Sequence, residues 1–265
     1  MGRSFRHLRV EREGAVRRVA LSRPATRNAF DEELIRELTD AFLDAGIEEG
    51  LRAVLLSGDG PHFCAGADAA WMRQAGSLSK EENEASAERM ARMMRAIDAC
   101  PRPVVALVQG AAIGGGVGLT AAADIAIAAE DATFSLAEVK LGILPAVISP
   151  YVLRAIGSRQ ARHLFLTGDR FDAREALRIG LVHAVVPAAE LEEAGRRKIA
   201  ALLSSGPQAV EAAKRLIEQV SYLSPEEAMP ATVRAISERR ASEEAREGLS
   251  AFLEKRKPGW AKADD

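Results

Sequence analysis

The sequence predicts an α/β core followed by a helical C-terminal third. Short apolar runs, RAVLLSG (52–58), VVALVQG (104–110) and IAIAAE (125–130), are bounded by Gly, Asp or Pro and separated by helix-length segments. Such runs are how strands read when both faces of a parallel sheet are covered. The alternation of strand, loop and helix repeats, which also argues for parallel strands with helices packed over them. From about residue 148 the helical period is nearly continuous. A chain of 265 residues lies near the upper limit for one core. The expected division is an α/β core over 1–195 and a helical region over 196–265.

The elements follow in order. FRHLRVERE (5–13) and AVRRVALS (15–22) are short, β-branched and partly alternating, with Gly14 between them, and read as a hairpin. DEELIRELTDAFLDAGIEEG opens with acids and carries Leu34, Leu38 and Phe42 at i, i+4 and i+8, one apolar helix face. After the strand at 52–58 comes a polar helix at 79–99. The strand after Pro101 and Pro103 runs into three glycines and a short helix, and the strand at 125–130 follows. Beyond residue 148 the helical stretches are YVLRAIG, RQARHLFLTG, AREALRIG, 188–204, 208–220 and 224–255, interrupted by a brief strand, VHAVV (182–186). The last helix keeps Leu249, Phe252 and Leu253 on an apolar stripe, suited to its own chain or to a neighbouring subunit.

Bulk properties exclude several function classes. The chain is 48% hydrophobic and 28% charged, and 36 basic against 38 acidic side chains leave a net charge of −2. That balance gives no electrostatic footprint for nucleic acid or a membrane surface. Cys64 and Cys100 are too few for a disulfide framework and lack metal-ligand spacing, so they read as buried thiols. MGRSFRHLRVERE has no apolar run of a signal peptide, and no segment has the uninterrupted apolar length of a membrane span. A cytoplasmic protein is expected.

Ligands of open α/β sheets gather beyond the carboxyl ends of the strands, and two strands here end in glycine-bearing loops, LLSGDGPHFCAGAD and ALVQGAAIGGG. The small side chains of Ala65 to Ala67 and of the triplet Gly114, Gly115 and Gly116 admit a ligand to the backbone. The triplet also opens a helix, whose amino end favours negative charge. Two converging N–H groups make an oxyanion hole. A glycine triplet on its own is also a common device for a tight turn or close helix packing. The phosphate-binding patterns G-x-x-x-x-G-K-[ST] and G-x-G-x-x-G are not matched.

Taken together, RPATRNAF (23–30), HFCAGAD (62–68), VQGAAIGGGVGL (108–119), FSLAEVKLGILP (134–145) and AFLEKRK (251–257) resemble the enoyl-CoA hydratase/isomerase, or crotonase, family in the right order along most of the chain. The resemblance implies a spiral of ββα units, a helical trimerisation region, and a coenzyme A thioester whose carbonyl lies between the N–H groups of Ala67 and Gly115. It places Ala65, Asp68 and Ala69 along the adenine and pantetheine, Arg27 at the CoA phosphates, and Gly114 and Gly118 among the substrate-binding residues. Lys255 matches a lysine that reaches the CoA of a neighbouring subunit. CoA is part of the substrate, so no metal or redox cofactor is implied. The implied assembly is a homotrimer or a dimer of trimers.

Hydratases of this family carry two glutamates. One is matched by Glu138; the position of the other is Gly118. An acid beside Lys140 is ordinarily a solvated surface group. Within the family reading, Phe134, Leu136, Val139 and Leu141 around it predict a partly desolvated carboxylate with a raised pKa, fit for proton transfer. One base suffices for an isomerase, whereas a hydratase must also position water. The run PAVISPYVLRAIG (145–157) stands where many members have glycines. With GGGVGL and LAEVKLG it resembles the bacterial hydratases of branched, carboxylated enoyl-CoA esters, such as 3-methylglutaconyl-CoA of leucine breakdown. Gly118 is expected to leave space there, and the N–H of Ala146 to hold water. His62, Ser149 and Tyr151 are further candidates, with His62 expected to shape the CoA pocket and Ser149 to cap the helix that Pro150 begins. The rival readings are a sole-base isomerase, a non-catalytic CoA-ester binder and an RNA-binding trimer; aromatics at only 5% of the chain speak against the last.

Overall fold

A computed structural model describes residues 3–261. The amino-terminal hairpin is β1 (Leu8–Glu13) and β2 (Val16–Leu21), paired antiparallel across Gly14, which adopts a positive φ. Helix α1 (Glu32–Ile47) follows, with Asp31 accepting a hydrogen bond from the Leu34 N–H as its cap. Strand β3 (Ala53–Gly58) then pairs parallel with β2. A short helix that the sequence did not disclose, α2 (Ala69–Ala75), precedes α3 (Lys80–Asp98), which opens with a full capping box between Ser79 and Glu82.

Strand β4 (Val104–Val108) leads through β5 (Ala111–Ile113) into α4 (Gly115–Ala122), and β6 (Ile125–Ala129) and β7 (Thr133–Ser135) come next. Helix α5 (Ser149–Thr167) is two helices meeting at Gly157. Strand β8 (Arg170–Asp172), helix α6 (Ala173–Arg178), strand β9 (Ala184–Val186) and helices α7 (Leu191–Leu203), α8 (Pro207–Val220), α9 (Pro225–Ala241) and α10 (Glu243–Leu253) complete the chain.

The main sheet has the order β1-β2-β3-β4-β6-β9 and is parallel except for the hairpin. Its strands alternate between two cores. Val54, Leu56, Val104, Ala106 and Val108 face α1, α3 and α4, whereas Ala53, Leu55, Val105 and Leu107 face α7. Both faces are covered, so the strands are apolar at every position rather than alternating. A Cβ at Gly195 of α7 would lie 2.9 Å from Leu107, so the helix rides directly on the sheet. Burying a side chain such as Leu107 contributes about 2 kcal/mol.

A second, small sheet has the order β5-β7-β8. Its three-residue strands are too short for a sequence period, and they were absent from the expectation. Pairing of β5 with β7 is parallel, Ile113 opposite Ser135, and Phe134 stacks on Phe171 of β8 with ring centroids 5.5 Å apart. This sheet carries the functional loops.

Two boundaries move. The expected division at 195/196 falls inside α7, whose Leu191, Ala194 and Ile199 belong to the core, so the separate helical layer begins only after Leu203. The expected single helix over 224–255 breaks at Ser242, whose Oγ accepts a hydrogen bond from the Ala245 N–H and caps α10.

Candidate active site

Strands β2, β3 and β4 run in one direction, so the loops at 22–31, 59–68 and 109–114 gather at one end of the sheet. They are stitched together by backbone. Phe30 and Ala67 form a parallel bridge in which the Phe30 N–H donates to Gly66 O (2.7 Å) and the Asp68 N–H to Phe30 O (2.8 Å). Cys64 bridges Ala112 in the same way, with the Cys64 N–H donating to Ala111 O (3.0 Å) and the Ile113 N–H to Cys64 O (2.9 Å). The Phe30 bridge uses the groups flanking Ala67 and leaves the Ala67 N–H directed to the other side, towards β5 and α4. Gly66 has φ +85°, and a Cβ there would stand 2.8 Å from Ile113 O and 3.9 Å from the Gly115 nitrogen. The Ala67 and Gly115 donors are thereby neighbours. Among the described residues neither donates to a protein acceptor. Gly115 is also the first residue of α4, so the helix dipole adds to its N–H.

Glu138 arrives from the small sheet. The Gly114 N–H donates to Ser135 O (2.8 Å), which sets the end of β7 beside the triplet, and three residues later Glu138 stands over Gly114. A Cβ at Gly114 would lie 2.7 Å from Glu138 Oε1, and Gly114 has φ +52° and ψ −112°, so glycine is required on both counts. Glu138 Oε2 is buried without a hydrogen-bond partner among the described residues. Burial raises the carboxyl pKa above its ordinary value, opposed only by a backbone hydrogen bond, and no neighbouring charge contributes. This is not a solvated surface acid. It is a carboxylate held half-desolvated beside two N–H donors that no protein acceptor uses among the described residues, an arrangement chemically able to serve as a base next to an oxyanion-binding pair.

The profile of the enoyl-CoA hydratase/isomerase family matches residues 11–263 of this chain. The chain belongs to that family. It is 32% identical over 259 residues to the crotonyl-CoA hydratase of Syntrophomonas wolfei, covering 97% of this chain and 98% of the relative. The crystal structure of an enoyl-CoA hydratase from Shewanella pealeana superposes with a TM-score of 0.93 at 42% identity, covering 97% of this chain and 96% of the other. Pseudomonas aeruginosa AtuE superposes with a TM-score of 0.93 at 39% identity, covering 97% of this chain and all (100%) of the other. The crotonase-type spiral is thus the fold.

Within the family site, the remaining expected residues fall into groups. Arg27 is exposed, without an ion-pair partner among the described residues, and its carbonyl accepts from the Ala65 N–H (2.9 Å), so it sits at the rim beside Ala65. Ala69 is exposed at the start of α2. The Asp68 carboxylate is engaged within the protein. It caps α2, accepting from the Ala70 N–H (2.8 Å), and pairs with Arg23 (3.4 Å).

Gly118 corrects the expectation of open space. A Cβ there would run into the Ile148 side chain and lie 3.1 Å from Met94 Cε. Gly118 and the PAVISP run are therefore one feature, because the isoleucine supplied by the second fills the position vacated at the first. Ala146 is a second correction. Its N–H donates to Leu144 O (2.8 Å), closing a tight turn about Pro145, whose fixed φ suits such a turn, and is not free for water. Ser149 does not cap α5: Ile148 holds the cap position and the Ser149 hydroxyl donates to Ala146 O (2.7 Å). Tyr151 lies half-buried under the Arg154 guanidinium, 5.8 Å from its ring centroid.

Lys255 lies at the other end of the molecule. The segment after α10 is fastened by Arg52, which donates to Trp260 O (2.9 Å), and by the Trp260 indole N–H, which donates to Ser204 O (3.2 Å). Arg52 immediately precedes β3, so this is the amino end of the sheet, opposite Ala67 and Gly115.

The sequence reading missed the residues that hold the loops. Asn28 is fully buried with φ +56°; its Oδ1 accepts the Arg23 N–H (2.8 Å) and its Nδ2 donates to Asp59 O (2.9 Å) and His62 O (2.8 Å). Gln109 Nε2 donates to Gly58 O (2.6 Å) and Gly60 O (3.1 Å). His62 Nδ1 accepts from the Ala111 N–H (3.2 Å), so it pins the two loops together. An asparagine just before the apolar pair Ala29 and Phe30 was the available signal, since Asn tolerates this left-handed conformation best among non-glycine residues. Among the described residues no cluster of His, Cys, Asp and Glu forms a metal site, and no helix is long and apolar enough to cross a membrane.

Proposed function

We propose that the protein is a hydro-lyase that adds water across the 2,3 double bond of an acyl-CoA thioester, with Glu138 as its only acid–base group. The observation that carries the reading is the desolvated Glu138 carboxylate, its Oε2 without a hydrogen-bond partner among the described residues, beside the Ala67 and Gly115 N–H groups, which donate to no protein acceptor among those residues. The two donors receive the thioester oxygen as it gains charge. Ionised Glu138 takes a proton from water while the water oxygen bonds C3 and the double-bond electrons move onto the thioester oxygen as an enolate. The enolate then collapses, C2 takes the proton back from Glu138, and the carboxylate is regenerated. Ile148 and Met94 around Gly118 leave no place for a second carboxylate on that wall.

The finer reading is a branched or carboxylated substrate such as 3-methylglutaconyl-CoA. It is supported by the runs GGGVGL, LAEVKLG and PAVISPYVLRAIG, and in it the carboxylate of the substrate helps to hold the water. The single base favours one alternative, an enoyl-CoA isomerase that moves a proton between two carbons. Incubation with 2-enoyl, 3-enoyl and 3-methylglutaconyl CoA esters separates them: a mass gain of one water marks the hydratase, and an unchanged mass with altered retention the isomerase. Crotonyl-CoA hydrated as fast as 3-methylglutaconyl-CoA would remove the finer reading. No change in any ester would leave a CoA-ester binding protein.

The working assembly we propose is a homotrimer or a dimer of trimers in which Lys255 reaches the CoA of a neighbouring subunit. The position of Lys255 at the far end of its own chain and the exposed Met229, Val233 and Ile236 on α9 support that reading.

A further inference from the structure

We propose that Phe30 is a positioning residue that sets the separation of the two oxyanion donors, with Asn28 locking the turn that presents it. Phe30 touches both donors. Its backbone forms the bridge to Ala67, and its ring fills the space on the Cα of Gly115, where an added Cβ would collide with it. It has no solvent exposure, so neither contact is optional. The segment before it is clamped on the other side by the three hydrogen bonds of Asn28, two of them to the carbonyls of Asp59 and His62 in the loop that continues into Ala67. The Ala65 N–H to Arg27 O bond closes the frame. The donors come from different loops, one after β3 and one after β5, and Phe30 is the residue that joins them, by its backbone to Ala67 and by its ring to Gly115.

Oxyanion stabilisation depends on placing both donors at the position where charge develops, and a displacement of about 1 Å costs on the order of 100-fold in rate. A shorter side chain at position 30 lets Gly115 move relative to Ala67 without removing either N–H. The loss therefore falls on turnover and carbonyl polarisation rather than on CoA binding.

This inference rests on the oxyanion-hole reading above, and the experiment keeps the two apart. The probe is 4-(dimethylamino)cinnamoyl-CoA, whose absorbance moves to longer wavelength when its thioester carbonyl is polarised. Phe30→Leu is compared with Phe42→Leu, a substitution of an equally large buried phenylalanine on α1 that is outside the Phe30–Ala67 bridge and is not among the side chains nearest Gly115. On the CoA ester turned over fastest, Phe30→Leu is expected to lose kcat by on the order of 10- to 100-fold with KM within about threefold. It is also expected to show a diminished red shift of the bound probe. Phe42→Leu is expected to melt earlier yet keep its kcat and the full red shift. Equal kcat losses in the two variants, or a full red shift in Phe30→Leu, would overturn the proposal. Should Phe30→Leu prove insoluble, Gly115→Ala crowds the same contact from the other side, and wild-type kcat in that variant would overturn it equally. A wild-type protein that leaves the probe unshifted overturns the oxyanion hole, and the positioning role with it.

Discussion

Helices α4 and α9 are opposites. All eight residues of α4 are buried, whereas none of the seventeen residues of α9 is. The first is apolar all round because sheet, small sheet and α5 enclose it; the second keeps Met229, Val233 and Ile236 open to solvent at roughly half exposure or more. The core is completed by its own chain, and the site is built there. The layer formed by α8, α9 and α10 is attached mainly at its margins, through Lys214 to Asp124 (2.6 Å), Arg102 to Glu211, and Arg52 to Ser205 O and Trp260 O. A region whose packing is internally satisfied fixes catalytic geometry; a region with an uncovered apolar face is shaped for another surface.

The comparison breaks most visibly at Glu138. Glu138→Gln is expected to lower kcat by about 10³-fold with KM little changed, measured on the fastest CoA ester. Retained turnover would move the chemistry out of the core site. In the proposed mechanism the wild type needs the ionised carboxylate, so the acid limb of the kcat/KM profile is expected above the ordinary glutamate range, because burial raises this pKa.

On the other region, Val233→Asp puts a charge on the open face of α9. By light scattering the mass is expected to fall from that of a trimer to that of one chain, while secondary structure and melting cooperativity persist. An unchanged mass would leave that face without a role in assembly.

A smaller effect tests the junction of the two. Lys214→Met strips Asp124 of its ion-pair partner, leaving that carboxylate partly buried with the Val104 N–H as its one donor among the described residues. A loss of about 2 kcal/mol is expected from denaturant midpoints, with kcat unaltered. A matching fall in kcat would show that the helical layer does govern the site.

The smallest effect concerns stability alone. A carboxyl with a folded pKa above its unfolded value costs stability as pH rises through that interval, since the native state then binds the extra proton. Glu138→Gln is therefore expected to melt slightly above the wild type at pH 8, with the gap closing as pH falls towards the ordinary carboxyl range. A gap that widens on acidification would contradict the desolvated carboxylate.

Much of the molecule could be read from its residues. The strands β3, β4 and β6 show as continuous apolar runs because both faces are buried, and the helix α1 shows in its period because burial of one stripe writes a repeat into the chain. Ala67, Gly115 and Glu138 were nameable through the family resemblance, which five motifs in the right order carry, since a glycine triplet or an acid beside Lys140 is ordinary on its own. Strands of three residues, β5, β7 and β8, have no period to display. The cap role of Asp68, the donated N–H of Ala146 and the filled space at Gly118 each depend on a partner distant in sequence or on a turn geometry that composition does not encode.

By itself, then, the sequence determined the class of fold, the family and the carboxylate on which the proposed chemistry depends, because those follow from local pattern and residue type. Only the tertiary structure decided that Gly118 and Ile148 are one packing event, that Phe30 joins both donors, and that the segment carrying Lys255 is fastened at the amino end of the sheet, opposite Ala67 and Gly115. The physical reason is the same in each case: close packing and hydrogen-bond satisfaction are properties of pairs brought together by the fold.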